Sequence, residues 1–124
     1  MMTSNFDSKL VYVCSPYAKY PGHDIGQNIS DAKEYCRLVA KCGFIPFASH
    51  LLYTSIFDDS NPAERAYGID LGIRVLEKCD MLWVFGDYIS SGMKQEIEYA
   101  EKKGILVLYV SNIDSANGSC SLAV

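Results

Sequence analysis

The chain has 124 residues, 49% of them hydrophobic and 21% charged, with 11 basic against 15 acidic side chains and a formal net charge of −4. That length supports one core rather than two, and the composition is that of a folded domain, not a disordered segment. The basic residues are scattered, with Lys102 and Lys103 adjacent, so no basic stripe exists to follow a nucleic-acid backbone or an anionic membrane.

Leu10-Val11-Tyr12-Val13-Cys14 is an apolar, β-branched run that stops at Ser15-Pro16 and predicts a strand buried on both faces. Tyr17 to Gly26, with Pro21 and two glycines, predicts a loop. Asn28 or Ser30 is the expected cap of a first helix, whose Ile29, Ala32, Cys36 and Val39 fall at helical spacing until Gly43. Phe44-Ile45-Pro46-Phe47 predicts a second strand near an edge, because Pro46 cannot donate to a ladder. Residues 48–60 are expected to be a long connection. Ser60-Asn61-Pro62 then signals a helix start, and Ala66, Ile69, Ile73 and Leu76 give that helix one buried face. Met81 to Phe85 is a wholly apolar third strand, Gly92 to Lys103 a helix stopped by Gly104, and Ile105 to Val110 a fourth strand. Cys120 to Val124 offers a short edge strand at the end of a polar tail.

The order β-α-β-α-β-α-β predicts a three-layer α/β sandwich of flavodoxin or Rossmann-like type, with a parallel sheet of four to five strands. The whole of 1–124 is expected to be one domain, with its core at 9–110 and residues 111–124 a polar tail or edge strand. No apolar run reaches the roughly 18 residues that span a bilayer. Residues 1–10 include Asp7 and lack a secretory core, so a cytoplasmic location is expected. The cysteines Cys14, Cys36, Cys42, Cys79 and Cys120 are odd in number and form no C-x-x-C pair, and His23 and His50 lie near no cysteine pair. Buried, reduced thiols are therefore expected, with no metal site.

Ligands in such sheets bind outside the carboxyl ends of the strands. That rim is expected to gather Ser15, Tyr17, His50, Asp87, Ser90 and Ser91, whereas Asp80 precedes its strand and belongs to the opposite, structural rim. Ser90-Ser91-Gly92-Met93 opens a helix at the ligand rim, which is either ordinary capping or an anion site built from free N–H groups and hydroxyls. Met93, Ile97 and Ala100 define the buried stripe of this helix. At about 100° per residue, Glu96 lies about 65° from the stripe's centre and Glu98 about 130°. Glu96 therefore flanks the core near the rim, where it is either a dipole-stabilised carboxylate or a nucleophile or general base. Tyr12 or Tyr17 is placed to orient it. Tyr17, Tyr20, Tyr53, Phe57 and Tyr88 crowd the same rim and suit either base stacking or packing on helix ends. Arg65, in the first turns of its helix, needs an anionic partner: Asp58, Asp59 or a ligand phosphate.

Three segments, Tyr12-Val13-Cys14-Ser15-Pro16-Tyr17, Cys79-Asp80-Met81-Leu82-Trp83 and Ser90 through Ala100, resemble the nucleoside 2-deoxyribosyltransferase superfamily, in particular its small bacterial and phage members. The resemblance spans most of residues 9–110. It implies that Glu96, with Ala100 four residues on, attacks the anomeric carbon of a deoxyribosyl group. It implies a phosphate-binding serine at Ser90, as in the family's deoxynucleotide hydrolase branch, with Gly92 matching a family glycine. It places Ser15 and Tyr17 at the sugar or phosphate and His50 at a histidine of the hydrolase branch. A supporting aspartate usually lies eight residues before the aspartate of the third strand. That spacing falls here on Gly72, and Asp70, two residues earlier, is either that aspartate or a solvated residue of its helix. Glu98 stands where the family usually has glycine.

The expected activity is thus an N-glycosidic-bond hydrolase or deoxyribosyltransferase acting on a nucleoside or nucleoside 5′-monophosphate through a covalent glycosyl–Glu96 intermediate. The expected catalytic residues are Glu96, Asp70 and Tyr12. Ser15, Tyr17, His50, Ser90, Ser91, Gly92 and Met93 are expected to bind substrate. No cofactor is expected, and the resemblance implies a homodimer or larger homo-oligomer. The alternative is a non-catalytic module that senses or sequesters a nucleotide-derived ligand.

Overall fold

Side chains alternate across a strand, and strands that are apolar on both sides need cover on both faces of their sheet. The computed structural model describes residues 9–114 and 119–123 and shows how that cover is supplied. The reading of residues 1–8 as lacking a leader, and Val124 of the expected edge strand, lie outside the described residues. In chain order the elements are β1 (Leu10–Cys14), α1 (Ile25–Lys41), β2 (Ile45–Phe47), α2 (Ser49–Ile56) and α3 (Pro62–Glu77). They continue with β3 (Met81–Phe85), α4 (Ser91–Lys102), β4 (Leu106–Asp114) and β5 (Ser119–Ala123).

The strand order is β2-β1-β3-β4-β5. The first four strands are parallel and β5 pairs antiparallel to β4, so the expected sheet of four to five strands is a parallel four with an antiparallel fifth at its edge. β2 occupies the other edge, where Pro46 sits opposite Val11 and its missing N–H does no harm. Asp80 ties the amino-terminal rim: its carboxylate accepts the Leu10 N–H at 2.7 Å and its own N–H donates to the Leu10 carbonyl at 2.8 Å.

Alternation along β1 and β3 divides the core in two. Val11, Val13, Trp83 and Phe85 face α1 and pack on Leu38 and Val39. Tyr12, Cys14, Leu82 and Val84 face α3 and α4 and pack on Leu76, Met93, Ile97 and Ala100. Cys14, Cys36 and Cys79 are free thiols. Among the described residues no helix is long and apolar enough to cross a membrane.

Three expectations are corrected. Of the face expected for α3, Leu76 is buried and Ile73 half-buried, but Ala66 and Ile69 are exposed, and Gly72 is the other buried residue. α1 starts at Ile25, with Asp24 as its cap accepting the Gln27 N–H at 2.7 Å, ahead of Asn28 and Ser30. Asn28 is instead buried inside the helix, and its amide donates to the carbonyls of Tyr17 and Ala18, each at 3.0 Å, pinning the loop after β1. Residues 48–60 are also not all connection, since α2 fills Ser49–Ile56. Its cap residue is Ala48, which makes no side-chain bond, so the sequence carries no start signal there. α3 begins as expected, with the Asn61 side chain accepting from Ala63 and Glu64 and Pro62 in the first turn.

Candidate functional site

The loop after β1, α2, the first three turns of α3 and the start of α4 border a cavity of about 250 Å³. Of the ten expected site residues, Ser15, Tyr17, His50, Ser90, Ser91, Gly92, Met93 and Glu96 line it. Tyr12 lies buried directly behind it. Asp70 is the exception.

Glu96 is at the centre. One helical turn beyond the opening of α4, its carboxylate leans off the buried stripe of Met93, Ile97 and Ala100, as the helical angle requires. Glu98 is exposed. The Tyr12 hydroxyl donates to Glu96 Oε2 at 2.5 Å, and the Cys14 thiol donates to Oε1 at 3.4 Å. Tyr12 and Cys14 are two apart on β1 and so share a face of the sheet. Burial pushes the Glu96 carboxyl up to about 7, with the two hydrogen bonds opposing that rise. Burial and the neighbouring carboxylate hold both the Tyr12 phenol and the Cys14 thiol well above their ordinary ranges, so both remain proton donors at neutral pH.

Asp70 does not join them. On α3, Gly72 faces Tyr12, and residues two apart on a helix lie about 200° from one another, so Asp70 points outward. It is exposed and pairs with Arg74 at 2.7 Å, one turn along the same helix.

The opening of α4 shows the capping expected of it. The Ser90 hydroxyl oxygen accepts the Met93 N–H at 3.2 Å, which is capping, and the helix starts one residue earlier than expected, at Ser91. This cap uses a lone pair of the Ser90 oxygen and does not consume its hydroxyl proton, and Ser90, Ser91 and Gly92 line the cavity. Met93 contributes mainly to the core, being 2% exposed.

Opposite lies a second polar pair. Ser15 Oγ is 3.1 Å from His50 Nε2, and the Tyr17 ring tilts against the imidazole with centroids 5.7 Å apart. Burial lowers the His50 imidazole to about 4, a contact with the Ser15 backbone opposing the shift, so the ring is neutral at pH 7. Tyr53 and Phe57, stacked on one another, add an aromatic wall from α2. Tyr20 and Tyr88 stack together on the same rim but do not line the cavity. Asp87 is exposed and outside it.

Asp59, Glu64 and Arg65 stand at the α2–α3 side of the cavity. Arg65 pairs with Asp59 at 3.8 Å, while Asp58 instead accepts from Ser60. Both partners of the Arg65 pair are largely exposed, and such pairs contribute little. Arg65→Ala is therefore expected to change unfolding stability by less than about 0.5 kcal/mol in denaturant titrations. A loss above about 1 kcal/mol would make the pair structural.

Two residues around the carboxylate, one touching it and one touching Tyr12, carry no role in the sequence reading. Cys14 was available from the two-residue period of β1. Ser49, whose hydroxyl lies 2.8 Å from that of Tyr12, was hidden in the segment read as connection. Among the described residues no three His, Cys, Asp or Glu side chains gather as a metal-ligand set.

The solved structure of a 2-deoxyribosyltransferase from the psychrotolerant bacterium Bacillus psychrosaccharolyticus, a biocatalyst for nucleoside synthesis, is similar to this chain with a TM-score of 0.62. The two are 15% identical over 81% of this chain and 70% of that one. At that identity the likeness is one of fold. No curated protein matches the chain. A family model described as a domain of unknown function, DUF7768, matches residues 9–110, and the chain belongs to that family.

Proposed function

We propose that this protein is an N-glycosidic-bond enzyme that acts on a nucleoside or nucleoside 5′-monophosphate, with Glu96 as its nucleophile. The reading rests on one observation: a carboxylate at the wall of an open cavity, held at 2.5 Å by a phenol that stays protonated. Tyr12 fixes Oε2, and Oε1, with only the weaker thiol contact named above, is the freer oxygen for attack. The fold shared with a 2-deoxyribosyltransferase and the resemblance of the three sequence segments support the same chemistry.

In the first step Glu96 Oε1 bonds to the anomeric carbon, and the bond from that carbon to the base nitrogen breaks, its electron pair leaving with the base. In the second step water, or the nitrogen of another base, attacks the same carbon and releases Glu96. With water, one proton goes to the departed base and the hydroxyl stays on the sugar; with a second base, the proton of its attacking nitrogen goes to the departed base. Two displacements retain configuration. The double displacement uses no cofactor. In this reading Ser90, Ser91 and Gly92 hold a 5′-phosphate, Tyr17 and the wall of Tyr53 and Phe57 receive the base, and Ser15 with neutral His50 meets the sugar. Asp70, turned outward, has no part in it. A homodimer or larger homo-oligomer belongs to the same proposal and is read by light scattering.

Incubation of the purified protein with a panel of nucleosides and their 5′-monophosphates, followed by chromatography for free base, tests the activity. Base release is expected. Calorimetric binding without release would make the protein a nucleotide-binding module instead. Monophosphates are expected to bind more tightly than their nucleosides. Ser90→Ala is expected to narrow that gap and, by loss of the helix cap, to lower stability by about 1 kcal/mol. Equal affinity for both ligand forms in the parent would remove the phosphate site.

A further inference from the structure

Ser49 opens α2 but does not cap it, because the cap position belongs to Ala48, which makes no side-chain bond. Its hydroxyl lies instead 2.8 Å from the hydroxyl of Tyr12. Tyr12 has a single proton, and when Glu96 is ionised that proton goes to the carboxylate, so Ser49 then donates to the Tyr12 oxygen. Three oxygens thus form a chain from α2 through β1 to α4.

A fourth element makes room for the chain. Gly72 sits inside α3 with ordinary helical backbone angles, where glycine weakens a helix relative to alanine. Backbone conformation does not require it. Space does: a Cβ at this position would stand 3.1 Å from Ser49 Cβ and 3.4 Å from both Ser49 Oγ and the Tyr12 hydroxyl oxygen. The first distance is tighter than ordinary packing allows, so any larger residue presses on the Ser49–Tyr12 bond.

We propose that Ser49, seated against Gly72, is a positioning residue for Glu96. Its donation fills one lone pair of the Tyr12 oxygen, turns the phenol proton toward Oε2 and strengthens that proton's bond to the carboxylate. The catalytic meaning of this arrangement rests on the reading of Glu96 as nucleophile; the positioning itself rests on geometry alone.

The ionisable groups that face Glu96 or share its cavity are Tyr12 and Cys14 from β1, His50 from α2, and Asp59, Glu64 and Arg65 at the α2–α3 side. Ser49 touches the carboxylate through Tyr12, so its effect is separable from theirs. The test is the titration of the Glu96 carboxyl carbon by NMR in the full chain labelled with carbon-13 glutamate, the resonance assigned with Glu96→Gln. Ser49→Ala and Gly72→Ala are each expected to raise the Glu96 midpoint by roughly half a pH unit. Ser49→Thr should restore the parental midpoint. Ser55→Ala, an exposed serine of α2 bonded to the Leu52 carbonyl, should leave it unchanged. In a turnover assay Ser49→Ala should lower kcat severalfold with little change in KM.

A parental Glu96 midpoint in both Ser49→Ala and Gly72→Ala overturns the proposal, whether or not the protein cleaves nucleotides. Shifted midpoints in a protein that cleaves none overturn the nucleophile reading and leave the positioning of the carboxylate intact.

Discussion

Glu96→Ala and Glu96→Gln are expected to lower glycosidic turnover by at least about a thousandfold, because each removes the atom that forms the covalent bond. The glutamine variant is the more informative. It keeps the size of the side chain and an oxygen for the Tyr12 hydroxyl, so fold and ligand affinity should survive while chemistry is lost. Glu98→Ala, two residues along α4 and exposed, should change turnover by less than about twofold. The parental rate should rise as pH passes about 7, since the attacking carboxyl must be ionised and burial holds its midpoint there. Turnover that survives in both Glu96 variants would assign the chemistry elsewhere.

The second large effect is on stability, and it arises because two half-buried groups in one cavity oppose each other. Glu96 is raised from 4.5 to about 7, so the folded protein binds its proton more tightly than the unfolded chain does. That contribution is fully present below 4.5 and is lost as pH rises through 7. His50 is lowered from 6.5 to about 4, so the folded protein prefers the neutral ring. Its contribution is present above 6.5 and is lost as pH falls through 4. Between 4.5 and 6.5 the two slopes have opposite sign, and the parent should be nearly flat. Substitution uncovers each slope. Glu96→Gln should lose stability as pH falls from 6.5 to 4 and should exceed the parent at pH 8 by about 1–3 kcal/mol, reduced from the full shift by water in the cavity. His50→Gln should instead gain stability as pH falls from 7 to 4.5. Asp58 is shifted downward from 3.8 by its Ser60 bonds and titrates below this window. Denaturant titrations across pH 4–8 measure all three curves. Parallel curves for the parent and both variants would mean that neither group is held away from its ordinary ionisation.

What the sequence disclosed follows from how strongly each segment constrains itself. Met81 to Phe85 has no polar member, and the strand occupies those five residues. Asn61-Pro62 declares a helix start chemically, and α3 begins there. α2 is eight residues long and has an alanine at its cap, so neither length nor chemistry announces it. α1 was placed late because Gly26 lies in its first turn and weakens the signal, although Asp24 is a good cap. The site shows the same division. Glu96 was legible because a single helical angle places it. Asp70 lies on the outer side of α3, paired with Arg74, because the buried face of that helix turns toward Gly72 and away from the apolar stripe the sequence shows. Gly72, packed on the Tyr12 hydroxyl and Ser49, settles that orientation only in three dimensions. Ser49 was illegible for a related reason, since its partner lies 37 residues away on another element.

The most direct measurement is mass spectrometry of the intact protein quenched during turnover of a nucleoside 5′-monophosphate, followed by peptide mapping. A glycosyl adduct on the peptide that carries Glu96, present in the parent and absent in Glu96→Ala, is the expected result. Free base released by the parent with no adduct at Glu96, or release at the parental rate by Glu96→Ala, would contradict it.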